Sequence, residues 1–218
     1  EHVSMKHVTD IYKSVLKDSD YSQMANLVDM LAPTLQPAPN NPEYIMTQYD
    51  LLGDSRLATE KDEVMLVLNS EDELSDLLLA RLGFFTEAEF LEIINKASSK
   101  DGTYNESLYR DYFSYDELLS KTLTWYPTDT IFSAETTETT NPFTGEVTTS
   151  VVGSYNSKFD TVQDSGLELK IVGILTPKET ISYGALTSGI YYTEALTEHI
   201  LTTNADSEIV RHLQDEQA

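Results

Sequence analysis

Two short apolar runs limit what this chain can fold into. Val64-Met65-Leu66-Val67-Leu68, opened by Glu63, and Ile171-Val172-Gly173-Ile174-Leu175, followed by Pro177, are continuous rather than alternating. Their length suits strands covered on both faces and is too short for an ordinary buried helix. Such strands need other elements packed above and below them, and the chain supplies helices. Val8, Ile11, Tyr12, Val15 and Leu16 recur at three- and four-residue spacing. A second stripe, Tyr21, Met24, Leu27, Val28 and Leu31, follows Asp20, a residue able to cap it. The expected class is therefore α+β, a mixed sheet packed with helices.

Capping signals predict two more helices. Ser70-Glu71-Asp72-Glu73 reads as a capping box that opens a helix burying Leu74, Leu77, Leu78 and Leu82 and stopping at Gly83. Thr86-Glu87-Ala88-Glu89 reads as a second box, with Phe85 and Phe90 as a hydrophobic staple and Phe90, Ile93, Ile94 and Ala97 on the buried face. Each cap is worth about 1 kcal/mol. Pro33, Pro37, Pro39 and Pro42 exclude helix and read as a linker. Tyr44 to Tyr49 is predicted to be a strand, followed by a turn at Gly53-Asp54.

After Ser98-Ser99-Lys100-Asp101-Gly102 the spacing moves towards two. Strands are predicted at Lys121 to Tyr126 and Thr130 to Ser133, broken by Pro127. Residues 136–150 hold seven threonines with Asn141-Pro142 and Gly145. They read as a β-hairpin with a mobile tip and a return strand from Glu146 to Val152. Leu167, Leu169 and Ile171 alternate into the second apolar run, which reads as a central strand. A loop containing Gly184 and Gly189 comes next. The last helix presents Tyr192, Ala195, Leu196, His199 and Ile200, continuing through Ile209, Val210 and Leu213.

Composition narrows the function classes. The 218 residues are 40% hydrophobic, enough for a packed core and too much for intrinsic disorder. Fourteen basic against 37 acidic residues give a net charge of −23, which argues against nucleic acid and anionic lipid as partners. With no cysteine, disulfides, thiol catalysis and cysteine metal sites are excluded. No run approaches the ~20 apolar residues of a membrane-spanning helix. The first residue is not Met and no signal peptide precedes the fold, so the chain reads as a segment excised from a longer protein.

Searching for chemistry yields little. None of His2, His7, His199 and His212 stands in an H-x-x-x-H pair, and His199 reads as a packed histidine on the last helix. The clusters Glu60-Lys61-Asp62-Glu63 and Glu71-Asp72-Glu73 lack the order of a calcium loop and read as solvated helix starts. No nucleophile elbow or phosphate loop is present. Asn105-Glu106-Ser107 fits a glycosylation sequon. No catalytic, cofactor-binding or metal-binding residue is assigned, and the chain is expected not to be an enzyme.

Several segments resemble one family in order. Tyr49-Asp50-Leu51-Leu52-Gly53, followed by Asp62-Glu63-Val64-Met65-Leu66-Val67, is similar to a signature of the large extracytoplasmic domains of bacterial FtsX-like, MacB-like ABC transporter permeases. Glu73-Leu74-Ser75-Asp76 with Leu82-Gly83, Ser114-Tyr115-Asp116-Glu117-Leu118-Leu119 and Pro127-Thr128-Asp129 resemble segments of Gram-positive members. Gly166-Leu167-Glu168-Leu169-Lys170-Ile171-Val172-Gly173-Ile174-Leu175 is similar to the family's closing strand. Ser188-Gly189-Ile190-Tyr191-Tyr192-Thr193 and Leu196-Thr197-Glu198 resemble the stretch after that strand. Family members often carry Trp-Pro where this chain has Arg56-Leu57-Ala58, and the threonine-rich hairpin is peculiar to this chain.

The resemblance implies an extracellular domain held at the cell membrane, with two lobes. Residues 1–71 and 166–218 would form a membrane-proximal, porter-like part, and residues 72–165 an inserted distal lobe. It implies a non-catalytic domain that couples cytoplasmic ATP hydrolysis to movement outside the membrane, in export of or resistance to peptides or lipids. Its partners would be the transmembrane helices and ATP-binding domain of the same transporter, with a peptide or lipid substrate or an accessory surface protein. The acidity suits a cationic cargo or simple solubility. The threonine-rich strands and missing cysteines also suit a cell-surface adhesin or pilin-like module. A hydrolase with a carboxylate pair is the third alternative.

Overall fold

The computed structural model of the chain describes residues 5–17, 35–97, 112–155, 166–181 and 184–217. In chain order the first elements are α1 (Met5–Lys17), β1 (Gln36–Pro37), α2 (Pro42–Gln48), β2 (Tyr49–Leu51) and β3 (Glu63–Val67). Then come α3 (Asp76–Arg81), α4 (Glu87–Ala97), α5 (Tyr115–Leu119), β4 (Thr122–Trp125) and α6 (Thr128–Ile131). The rest are β5 (Phe132–Thr140), β6 (Val147–Tyr155), β7 (Leu167–Pro177), β8 (Gly189–Tyr192), α7 (Glu194–Asn204) and α8 (Glu208–Gln217). The fold is α+β. Its chain divides into two compact units, Glu1–Leu123 with Leu169–Leu196, and Thr124–Glu168 with Thr197–Ala218. These bounds differ from the 1–71, 72–165 and 166–218 division expected from sequence.

The first unit is built on a mixed sheet in the order β1-β8-β3-β7-β2, with β4 also paired to β7. The pairs β1–β8 and β3–β7 are parallel, while β8–β3 and β7–β2 are antiparallel. Both apolar runs are therefore interior strands, as their lack of alternation requires. Val64, Leu66, Val67, Ile174 and Leu175 are fully buried. Ile45, Tyr49, Met65, Val67, Leu175, Leu186 and Tyr191 form one core cluster. The β3–β7 register slips between Val64 and Met65, which face Ile171 and Gly173. Val172 is the extra residue of this bulge, and its carbonyl accepts from Arg56 N–H at 2.9 Å. A Cβ on Gly173 would stand 2.5 Å from the Arg56 carbonyl oxygen, so only glycine fits here.

A second cluster joins the helices of this unit. Val8, Leu77, Ala80, Phe90 and Ile94 are its buried members, with Ile11, Tyr12, Val15 and Phe85 packed against them. The stripe on α1 thus faces α3 and α4, as its spacing predicts. The box at Thr86 is present: Glu89 N–H donates to Thr86 Oγ1 and Thr86 N–H to Glu89 Oε2. Gly83, at φ 73°, closes α3 with a Schellman pair, Phe84 N–H to the Leu79 carbonyl and Gly83 N–H to that of Ala80.

Several expectations are corrected. The box at Ser70 does not form. Asn69 Oδ1 takes the Glu71 and Glu73 N–H groups at 3.0 and 2.7 Å, and α3 starts five residues later with Ser75 as its cap. An Asx turn has outcompeted the cap for the same donors. The segment predicted as a strand from Tyr44 is helical to Gln48, because Asn41 caps it and Pro42 occupies the first turn. Pro37 is no linker residue: it lies on β1, an edge strand that tolerates proline. Tyr192 ends β8 instead of entering the last helix, which itself breaks before Ser207 into α7 and α8. The second N-terminal helix, Asp20 to Leu31, lies outside the described residues, as does Asn105-Glu106-Ser107.

The second unit contains the two-stranded sheet β5–β6. There, Asn204 Oδ1 accepts from Thr128 N–H at 2.8 Å, and the Asp129 carboxylate accepts from Glu208 N–H at 3.0 Å, capping α8 from outside its own sequence. Thr128 to Ile131, partly predicted as strand, is the helical turn α6.

Candidate functional site

The strongest polar constellation begins at the first residue of β3. Glu63 is 7% exposed, and its carboxylate takes both guanidinium arms of Arg56, with Arg56 Nη1 at 2.9 Å from Oε2. Oε2 also accepts the N–H groups of Thr59 and Glu60 at 3.0 and 3.2 Å. The loop from Arg56 to Glu60 is thereby tied back onto the strand it precedes. The Arg56 hydrogen bond, against the opposing effect of burial, holds the Glu63 carboxyl at about 2, and the two backbone donors add to it. A carboxyl so firmly ionised and so fully engaged is a poor general acid or base near neutral pH. Its chemistry is that of a clamp. Glu63 opens the first apolar strand as its sequence context predicts, but it is buried and clamped where the acidic cluster Glu60-Lys61-Asp62-Glu63 was expected to be solvated.

A second polar knot fixes the loop before β8. The hydroxyl of fully buried Tyr49 donates to the Leu186 carbonyl and accepts from Leu186 N–H, both at 2.7 Å. Burial raises the phenol above its ordinary value, opposed by the Leu186 hydrogen bond. Gln48 Oε1 accepts from Ala185 N–H at 2.8 Å, and Tyr191 Oη from Thr187 N–H at 2.9 Å. A Cβ on Gly184 would fall 1.9 Å from Tyr49 Oη. This knot also serves structure: the Tyr49 hydroxyl, Gln48 Oε1 and the Tyr191 hydroxyl each bind backbone groups of residues 185–187.

The described histidines stand on different helices. His199 is half-buried on α7, its ring edge-on to Trp125 with centroids 5.5 Å apart, which is the packed position its stripe predicts. His7 lies on α1 and His212 on α8. Among the described residues, no group of three or more His, Asp and Glu could hold a metal ion. No helix among them is long and apolar enough to cross a membrane.

What stands out as accessible is the hairpin. β5 and β6 pair antiparallel from Phe132↔Tyr155 to Thr140↔Val147 with no shift of register. Every residue from Glu135 to Ser150 is exposed. The tip carries a set of local hydrogen bonds. Asn141 Oδ1 accepts from Phe143 and Thr144 N–H at 2.9 and 3.3 Å, and the Asn141 carbonyl accepts from Gly145 N–H at 2.9 Å. Gly145 supplies the left-handed residue at φ 70°. Phe143 is 96% exposed and Val147 54%. Sequence reading located the hairpin from its threonines and its Asn-Pro and Gly signals. It could not see that both faces are open, because that depends on what else packs nearby. A pass over known protein families, curated proteins and solved structures finds none that matches this chain.

Proposed function

We propose that this chain is the extracellular domain of an FtsX-like, MacB-like ABC transporter permease. It is a non-catalytic body that carries movement outward from ATP hydrolysis in the cell. One observation supports the reading above the others. The segments carrying the resemblance, Tyr49 to Gly53, Asp62 to Val67, Gly166 to Leu175 and Ser188 to Thr193, contribute β2, β3, β7 and β8, four successive strands of one sheet. Segments this far apart in sequence are adjacent only through the fold, so a resemblance spread over them concerns a shared framework. The principal polar constellations, around Glu63 and Tyr49, are spent on holding that framework. The partners are the transmembrane helices and ATP-binding domain of the same transporter, and the cargo is a peptide or lipid.

The domain lacks cysteine, which makes a direct test possible. Glu138→Cys, at an exposed hairpin position, is introduced into the full-length protein in its native host. Labelling of intact cells by a membrane-impermeant maleimide, together with co-purification of an ATP-binding chain or domain, is the expected result. Absence of labelling until the cells are lysed overturns the reading. Surface labelling without any ATP-binding partner favours the adhesin or pilin-like alternative, to which the exposed threonine-rich hairpin lends its own support.

A further inference from the structure

Among the described residues the hairpin is a sheet of two strands only. Two strands alone are marginally stable in water, and a third strand or a packed face is what normally completes them. β5 packs against α6 and α8, whereas β6 has β5 as its main neighbour. Natural edge strands are protected by lysine, proline, bulges or shortness. β6 has nine residues, Val-Thr-Thr-Ser-Val-Val-Gly-Ser-Tyr, with no charge and no proline, in unbroken register. Counting alternation from the Asn141 N–H bond to the Glu146 carbonyl, at 2.8 Å, makes Thr140↔Val147, Glu138↔Thr149 and Thr136↔Val151 the non-hydrogen-bonded pairs. The main-chain groups of Val147, Thr149 and Val151 are then directed away from β5, ready for another strand.

Charge decides what kind of strand. From Phe132 to Tyr155 the charged residues are Glu135, Glu138 and Glu146, with no lysine or arginine, in a chain of net charge −23. A second copy would bring the same acidic hairpin and an equal net charge against it. We propose that the outer edge of β6 takes up an extended, basic segment of another protein as a third strand. Main-chain hydrogen bonds along β6 supply affinity, and the acidity of the hairpin favours lysine or arginine over acidic side chains in the added strand. Phe143, 96% exposed at the tip, offers an apolar anchor to the same partner. This goes beyond the permease reading and does not depend on it.

The test uses the 218-residue chain and a synthetic peptide alternating valine and lysine, with a valine–glutamate peptide as its counterpart. The lysine peptide is expected to bind saturably and more weakly as salt rises, and the glutamate peptide not to bind. Thr149→Pro removes an outward N–H without touching the β5 ladder, so the fold persists by circular dichroism while affinity falls about tenfold or more. Thr149→Lys keeps every N–H and sets a like charge against the probe. It is expected to weaken the lysine peptide and to admit the glutamate peptide, a readout that holds even if proline disturbs the hairpin. Equal binding of both peptides, or wild-type affinity in both variants, overturns the proposal. So does a dimer by light scattering that Thr149→Pro dissolves, since the occupant is then a second copy.

Discussion

β7 and β6 are both long strands rich in β-branched residues around a single glycine, yet different forces hold them. β7 lies between β3 and β2, with Leu169, Ile171, Ile174 and Leu175 buried, and its glycine admits the Arg56 backbone at a bulge. β6 has no bulge, and its exposed stretch pairs with β5 through backbone bonds and contacts such as Thr137 Oγ1 to Ser150 Oγ at 3.0 Å. A buried strand gains stability from apolar surface removed from water, whereas an exposed hairpin relies on local pairing worth tenths of a kcal/mol per pair. Similar strand propensity therefore yields a framework element in one place and an accessible edge in the other.

This contrast can be broken or sharpened by experiment. Leu175→Ala, at a fully buried site, is expected to cost about 2–5 kcal/mol in chemical denaturation. A loss under about 1 kcal/mol means that β7 is not the buried centre described. Tyr49→Phe leaves the buried Leu186 N–H and C=O without their hydroxyl partner and is expected to cost about 1–3 kcal/mol.

Glu63 gives a pH signature with a definite sign. Its folded carboxyl titrates at about 2 against an ordinary 4.5, so its contribution is complete above about pH 5 and is lost as pH falls towards 2. Glu63→Gln should flatten that part of the stability profile. At neutral pH it removes about 1–2 kcal/mol, a figure reduced because the Arg56 side chain is 56% exposed. An unchanged acid limb in the variant shows that the clamp is not what the acid breaks. Val147→Ala, on the exposed hairpin, is expected to change global stability by less than about 0.5 kcal/mol. A larger loss means that the hairpin shares in the core after all.

Particular elements show what could be read in advance. The Thr86 box and the Gly83 stop were legible because caps are decided within a few residues. The same logic failed at Ser70, where Asn69 stood one residue upstream and captured the donors the serine needed. A further box, Ser114 with Glu117, opens α5 and had the same S-x-x-E signal without being read as a helix start. β8 was hidden because Gly189-Ile190-Tyr191-Tyr192 is short and comes after loop residues. Its antiparallel pairing with β3 and parallel pairing with β1 are what make it a strand. Glu63 could be placed at a strand start from sequence, but its role as a clamp required Arg56 to return across the loop.

By itself the sequence determined the α+β class, the two interior strands, the caps at Thr86 and Gly83, and the hairpin, because each rests on composition and spacing over a few residues. Only tertiary structure decided which carboxylate is buried and held ionised, which glycines a neighbouring chain segment makes obligatory, and which paired strands lie exposed. Those properties depend on residues brought together from far apart, and local patterns carry no record of such meetings.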